Sequence, residues 1–382
     1  MVVSVVLLTS WLLSVGLPSQ ALNVKSKTFR SPPILLALGS VSNKYYYDVL
    51  PRGHLAVKSF DAEVVDENGI PVPLHETYLH HWVAVPYYAL KKGHGARKGI
   101  LTRRNDGVCK TSLGQYFGHG SETRHTSTWV PDRYGIETGN PEKAPPGYEE
   151  KWSLNIHAID TRGVIDKPGC TECKCDLYNV TVGEDGRAIS KNYTGGMLCC
   201  YDQTRCRVKQ GFIGNARKLF FQYTVTWLDW TDAMVPVSIY VIDVIDTALL
   251  AGTAQGSCKV YMRGVSCSPE NRAHNECIHV KAARVILPRG GDIVLGVGHQ
   301  HSSGTGASLH GQDGRLLCES LPIYGTGNEA NYMVGMSTCY PKPGSTKMSD
   351  GEVLSSDRRH TGVMGLFYVL VRGLASRHPG RC

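Results

Sequence analysis

Fifteen histidines stand in this chain of 382 residues, and three groups of them are spaced so that they could hold a metal ion. His299 and His301, separated by Gln300, form the clearest group. In a strand, residues two apart point to the same face, so the two imidazoles can converge on one ion. The Ser302 to Gly306 run that follows, rich in Ser and Gly, lets the backbone turn away. The same pair also reads as two surface imidazoles. His80 and His81, with His75 just upstream, are geometrically harder. Adjacent strand residues face opposite sides, so both can reach one metal only at a bulge or a strand end. Otherwise one is buried and hydrogen-bonded and the other is solvated. His157 stands alone in an apolar stretch, where a histidine is ordinarily a satisfied core residue.

These residues must be positioned by strands. Apolar runs are short and flanked by Gly, Pro, Asn or Asp, with 42 glycines and 19 prolines in the chain, which reads as many short strands joined by turns. Strand-like runs cover Ile34–Leu38, Tyr45–Val49, Ala62–Val65, Glu76–Val85, Trp152–Ile159, Leu219–Trp227, Val235–Val244, Ile278–Leu287, Asp292–Gly298 and Met364–Val371. Gly93–Gly120 reads as loop, and Ser121–Gly139 as polar and turn-rich. Helical periodicity is confined to a brief stretch near Asp246–Ala251. The length suits two domains. The expected organisation is an all-β chain of two sandwiches joined near Asp232, spanning 22–232 and 233–376, with a basic tail at 377–382.

The net charge of +8, from 41 Lys plus Arg against 33 Asp plus Glu, is scattered apart from groups such as Lys91–Lys92 and Arg103–Arg104. A nucleic-acid binder gathers such charge into a stripe, so that class is excluded. The apolar run Val2–Leu17, followed by Ser19, Gln20 and Ala21, reads as a signal peptide over residues 1–21. A membrane anchor is the alternative, but the run is short and holds Ser4, Thr9, Ser10 and Ser14. Met234–Leu250 is broken by Asp243 and Asp246, so no membrane segment is expected after cleavage.

Thirteen cysteines agree with export. Six of them, Cys170, Cys173, Cys175, Cys199, Cys200 and Cys206, lie in one insert at about 166–209. Cys170 and Cys173 by themselves could be a zinc or redox pair. In a secreted chain they read as part of a disulfide knot. The sequons at Asn179 and Asn192 fall in the same stretch and imply an exposed, solvated loop. The odd total leaves one thiol over, and Cys382 is the candidate.

Leu79-His-His-Trp-Val83, Gly120-Ser-Glu-Thr123, Cys170-Thr-Glu-Cys-Lys-Cys-Asp-Leu-Tyr178 and His360-Thr-Gly-Val-Met-Gly-Leu-Phe-Tyr368 resemble the pattern of the plant stress-upregulated nodulin family of secreted proteins. More distantly, the order of ligands resembles the copper type II ascorbate-dependent monooxygenases, peptidylglycine α-hydroxylating monooxygenase and dopamine β-monooxygenase. That resemblance implies two jelly-roll-like antiparallel sandwiches, each with one copper, and a solvent cleft between them. His80, His81 and His157 would hold the first copper; His299, His301 and Met364 would hold the second. Tyr368 would lie beside the substrate, and ascorbate would be the reductant. Nothing but the resemblance selects Met364 over Met333, Met336 or Met348. A thioether favours Cu(I), and imidazole suits copper in both oxidation states. Three departures from the enzymes stand out. The stretch from Asp350 to Met364 is shorter, the Cys-rich insert is extra, and residues that would hold a peptide carboxylate have no counterpart.

Two readings follow. One is a secreted monooxygenase-like protein that hydroxylates a C–H bond of a small-molecule or wall-associated substrate in the apoplast or cell wall. The other is a non-enzymatic extracellular stress-related glycoprotein on the same scaffold, binding copper, carbohydrate or a protein partner. Glycopeptide mass spectrometry is expected to find glycans on Asn179 and Asn192; bare asparagines on a cytosolic product would overturn the export reading.

Overall fold

The computed structural model describes residues 23–91, 99–102, 128–184, 186–191, 193, 195–243, 279–287, 289–302, 304–349, 353–360 and 365–373. The expected signal peptide, basic tail, Cys382, Met364, Asn192 and the Asp246–Ala251 helix lie outside these residues. The fold is all-β. Among the described residues every strand pair is antiparallel except Val235–Pro236 against Tyr134–Gly135. No helix among them is long and apolar enough to cross a membrane.

The first sheet runs in the order Lys25–Arg30, Arg217–Asp229, Leu55–Val65, Tyr134–Thr138, Val235–Pro236, with Ile34–Leu36 also paired to Arg217–Asp229. The second is Val41–Tyr47, Tyr148–Asp160, Thr77–Leu90, Ile100–Thr102. Alternation along Arg217–Asp229 buries Leu219, Phe221, Tyr223 and Val225, which is the period-two signature of a half-buried strand. Phe60 on the first sheet stacks on Trp82 of the second, with ring centroids 4.5 Å apart. The two inner faces thus share one core. Tyr134–Thr138 forms a strand inside the stretch expected to be turn-rich, because it is held between the long strand Leu55–Val65 and the short Val235–Pro236 rather than by its own propensity.

Beyond Val237 the chain builds a third sheet, Ser238–Asp243, Gly365–Gly373, Gly291–Gln300, Thr338–Cys339, and a fourth, His279–Ile286, Val353–His360, Gly304–His310, Leu316–Ser320. Lys347–Met348 also pairs with Gly291–Gln300. Sheet membership therefore changes at Val237, a few residues after Asp232. Each of the two hydrophobic clusters draws residues from both sides of Val237: Trp82 and Phe221 with Val297 and Leu370 in one, Tyr78 and Ile159 with Ile293 and Phe367 in the other. Gly291–Gln300 is consequently buried at every position, and Tyr148–Asp160 is buried from Trp152 onward.

The Cys-rich insert has two sides: the stretch after the first sequon is the expected solvated loop, with Thr181, Val182 and Arg187 exposed, while the cysteines behind it are largely buried. Asn179 is exposed, at the left-handed end of a short helix Cys175–Tyr178. The disulfides Cys173–Cys200 and Cys175–Cys199 form, and Cys170, Cys173, Leu177, Tyr178, Cys200 and Cys206 are buried in the same cluster as Tyr78 and Ile159. A third disulfide, Cys318–Cys339, lies in the later half. The insert opens with a helix Lys167–Thr171 whose first turn is capped by Asp166, the side chain accepting from the Gly169 N–H. The apolar side of its helices covers the outer face of the second sheet, and the sequon-bearing side faces solvent. Trp82→Ala is expected to destabilise the fold by about 3–5 kcal/mol, measured by denaturant unfolding, because it removes the ring that Phe60 stacks upon.

Candidate metal centre

Thr77–Leu90 and Tyr148–Asp160 pair with Leu79 opposite Ala158 and His81 opposite His157. One residue, His80, is left over, so the strand bulges there. A bulge resets the alternation of side chains. It lets His80 and His81, adjacent in sequence, both turn towards His157. Ligand nitrogens of His80, His81 and His157 all lie within 4.8 Å of one another. The His80 and His157 rings stack at 4.4 Å, and His81 and His157 stand edge-to-face at 5.0 Å.

His299 and His301 close the Gly291–Gln300 strand and point to one face, with ring centroids 5.2 Å apart. Gln300, between them, turns the other way. Its side-chain amide donates to the Gly306 carbonyl at 2.8 Å and accepts from the Gly306 N–H at 3.2 Å. This clamp fixes the turn that carries His301. A Cβ on Gly304 would meet the Gln300 Oε1 at 2.4 Å, so glycine is required there. The clamp places His301 against His80, ring centroids 4.3 Å apart. Tyr78 reaches over both rings, its hydroxyl 3.4 Å from His301 Nδ1. The resemblance implied two centres separated by a solvent cleft. The structure instead gathers His80, His81, His157, His299 and His301 into one buried group, their exposures lying between 0% and 9%, because the two halves share their hydrophobic clusters.

Burial holds His80, His81 and His157 in the neutral form. Burial pushes His80 far below the ordinary imidazole value, and the neighbouring His301, His157, His81 and His299 push it the same way. Burial likewise lowers His157, with His81 adding to the effect. His81 is lowered to about 4 by burial, partly offset by its hydrogen bond to Asn155. That bond, His81 Nε2 donating to Asn155 Oδ1 at 2.7 Å, fixes the tautomer and leaves the Nδ1 lone pair facing His80 at 3.3 Å. Asn155 is itself oriented by donating to Asn43 Oδ1 at 2.8 Å. Among the described residues, His80 Nε2 and both ring nitrogens of His157 are buried without a hydrogen-bond partner. An unsatisfied buried polar group costs about 1–3 kcal/mol. Neutral imidazoles with unclaimed nitrogens fit a metal ion such as copper, for which nitrogen donors of this kind suit both oxidation states.

Tyr368 is buried in the core opposite Val297, on the face that carries His299 two residues further on. Met364 lies outside the described residues; the following residue, Gly365, pairs with Gln300. His75 stands apart, against Glu76 at 3.9 Å. Residues overlooked in the sequence are Asn155, Tyr78 and Gln300. Asn155 and His157 share a face by strand alternation, and Tyr78 precedes the His pair by two, so both could have been found by reading the i, i±2 neighbours of each histidine. Gln300 carried no signal beyond its place between two ligands.

The family described as Stress up-regulated Nod 19 matches residues 22–373 of the chain. No curated protein matched it.

For the metal-free protein the histidine shifts set a pH window. A group whose folded pKa is depressed takes its proton in the unfolded chain first. Stability is thus fully present above the ordinary value of 6.5 and is lost as pH falls towards 4. For His81 alone this amounts to about 3 kcal/mol. The melting temperature of metal-free protein is expected to fall steadily from pH 7 to pH 4, with a shallower fall in His81→Ala.

Proposed function

We propose that this chain, which belongs to the stress up-regulated Nod 19 family, is a secreted copper protein whose histidine centre serves a monooxygenase-like oxidation. The observation that carries the reading is His157, fully buried with neither ring nitrogen claimed, in ligand reach of His80 and His81. His80, His81 and His157 would hold one copper; His299 and His301, with Met364, would hold the second. Met364 is what argues for copper over zinc, since a thioether is a soft donor for Cu(I) and nothing in zinc chemistry calls for it. Copper, when bound, supplies one-electron chemistry with oxygen, recharged by ascorbate, for hydroxylating a C–H bond of a small-molecule or wall-associated substrate.

The chain's own residues have definable tasks. Asn155 holds the proton of His81 at Nε2 and so presents Nδ1 to the ion. Gln300 sets the turn that aims His299 and His301. Tyr78 closes the group on one side through His301. The surrounding core excludes water and keeps His80, His81 and His157 neutral and ready to ligate. Tyr368, on the His299 face, would lie beside the substrate once the surrounding core opens. The disulfides and the exposed Asn179 support export.

The burial of the centre favours a second reading, in which the protein binds copper without turnover. His80, His157 and His301 are each 0% exposed, so a substrate larger than oxygen would need the halves to part. Metal analysis of the secreted protein is expected to find two coppers per chain. Asn155→Ala should lower copper affinity by roughly 10–100-fold while leaving the fold intact. Met364→Ala should weaken Cu(I) retention and abolish ascorbate-dependent oxygen consumption. Two bound coppers with no oxygen consumption in the unmodified protein would select the binding reading, and zinc in place of copper would refute both.

A further inference from the structure

The Cys173–Cys200 disulfide touches the metal centre. Ligand atoms of His157, Cys173 and Cys200 lie within 4.8 Å of one another, the same limit that holds for His157, His80 and His81. All three residues are 0% exposed. We infer that, while this disulfide is open, Cys173 and Cys200 join His157 in a distinct soft-metal site that takes Cu(I).

The chemistry follows from the donor set. Two thiolates and one neutral imidazole match the preference of Cu(I) for soft ligands. The disulfide itself is a poor ligand, so the site exists only in the dithiol form. Binding expels the two thiol protons. A neutral imidazole has one lone pair, so His157 can serve the thiolate set or the histidine set, not both at once. Closure of the disulfide therefore exchanges one set for the other. It proceeds by thiol–disulfide exchange with a small disulfide: one cysteine thiolate attacks it and releases one thiolate, and the second cysteine displaces the other. The new Cys173–Cys200 bond forms, the external S–S bond breaks, the two electrons pass to the external sulfurs, and copper remains Cu(I). His157 is then left to His80 and His81. Both sulfurs are buried once the knot is closed, so the open form belongs to the chain before the knot closes, when export carries it into an oxidising compartment.

The inference shares only His157 with the copper reading of the histidine centre, and rests on that reading for the destination of the metal. The test is made on the full mature chain, kept reduced by a phosphine under nitrogen and titrated with Cu(I) against a chromogenic chelator. Thiolate-to-copper ultraviolet absorption reports sulfur ligation, which a thioether does not produce. The reduced wild type is expected to bind Cu(I) with this absorption. The Cys173→Ser/Cys200→Ser chain should lose it, and His157→Ala should bind roughly 10-fold or more weakly. Cys170→Ser/Cys206→Ser should keep it, which guards against general misfolding and against credit to other thiols. Glutathione disulfide should then abolish the absorption while copper stays bound in the wild type and escapes from His80→Ala/His81→Ala. Absorption that survives in Cys173→Ser/Cys200→Ser, or that is as strong and tight in His157→Ala, would overturn the inference, as would its absence from the reduced wild type. Copper lost from the wild type on oxidation would leave the thiolate site standing and refute the copper reading of the histidine centre instead.

Discussion

The structure depends on a single extra residue in one strand. Without the bulge at His80, the pairing of Thr77–Leu90 with Tyr148–Asp160 would send His80 and His81 to opposite faces. One imidazole would then enter the sandwich core and the other would face His157 alone. With the bulge, both meet His157, and the same face receives His299 and His301 from the later half. Bulges sit where a side chain must be re-aimed against the regular pleat, and this one re-aims a ligand into a buried, water-poor site. Trp82, next along, takes the place in the core that the bulge vacates, stacking on Phe60.

Burying five imidazoles together is unfavourable unless they remain neutral and their nitrogens are engaged. The first condition is met by burial and by mutual proximity, which hold His80, His81 and His157 below the range in which they would charge. The second is met only in part by protein groups: Asn155 takes His81 Nε2, whereas His157 has neither nitrogen engaged among the described residues. A core that leaves polar atoms unpaired in this way keeps them for a ligand or carries a stability deficit. The Cys-rich insert deepens the same site. It seals the outer face of the second sheet with apolar and sulfur atoms, placing Cys173 and Cys200 beside His157.

Much of the architecture was legible from spacing. Short apolar and aromatic runs between turn residues marked Glu76–Val85, Trp152–Ile159 and Asp292–Gly298 as strands, and the structure has strands there at Thr77–Leu90, Tyr148–Asp160 and Gly291–Gln300. The i, i+2 spacing of His299 and His301 implied a shared face, and their rings lie together. Tyr134–Thr138 was not legible, because its strand character comes from its neighbours' hydrogen bonds rather than its own composition. The packing of the insert's cysteines was not legible for a related reason. Sequons report where a glycan must be accessible at Asn179, not where the cysteines a few residues away are packed.

The sequence by itself determined the all-β class and the presence of disulfides in the insert, since both follow from residue type and local period, although Cys170 and Cys206 stay free. Only the tertiary structure decided that His80 and His81 act from one face, that His157 is the residue they meet, and that His301 arrives against His80. Those outcomes rest on strand register and on the contact between the two halves. A register shift of one residue leaves composition and periodicity unchanged, yet it moves every side chain to the other face of the sheet.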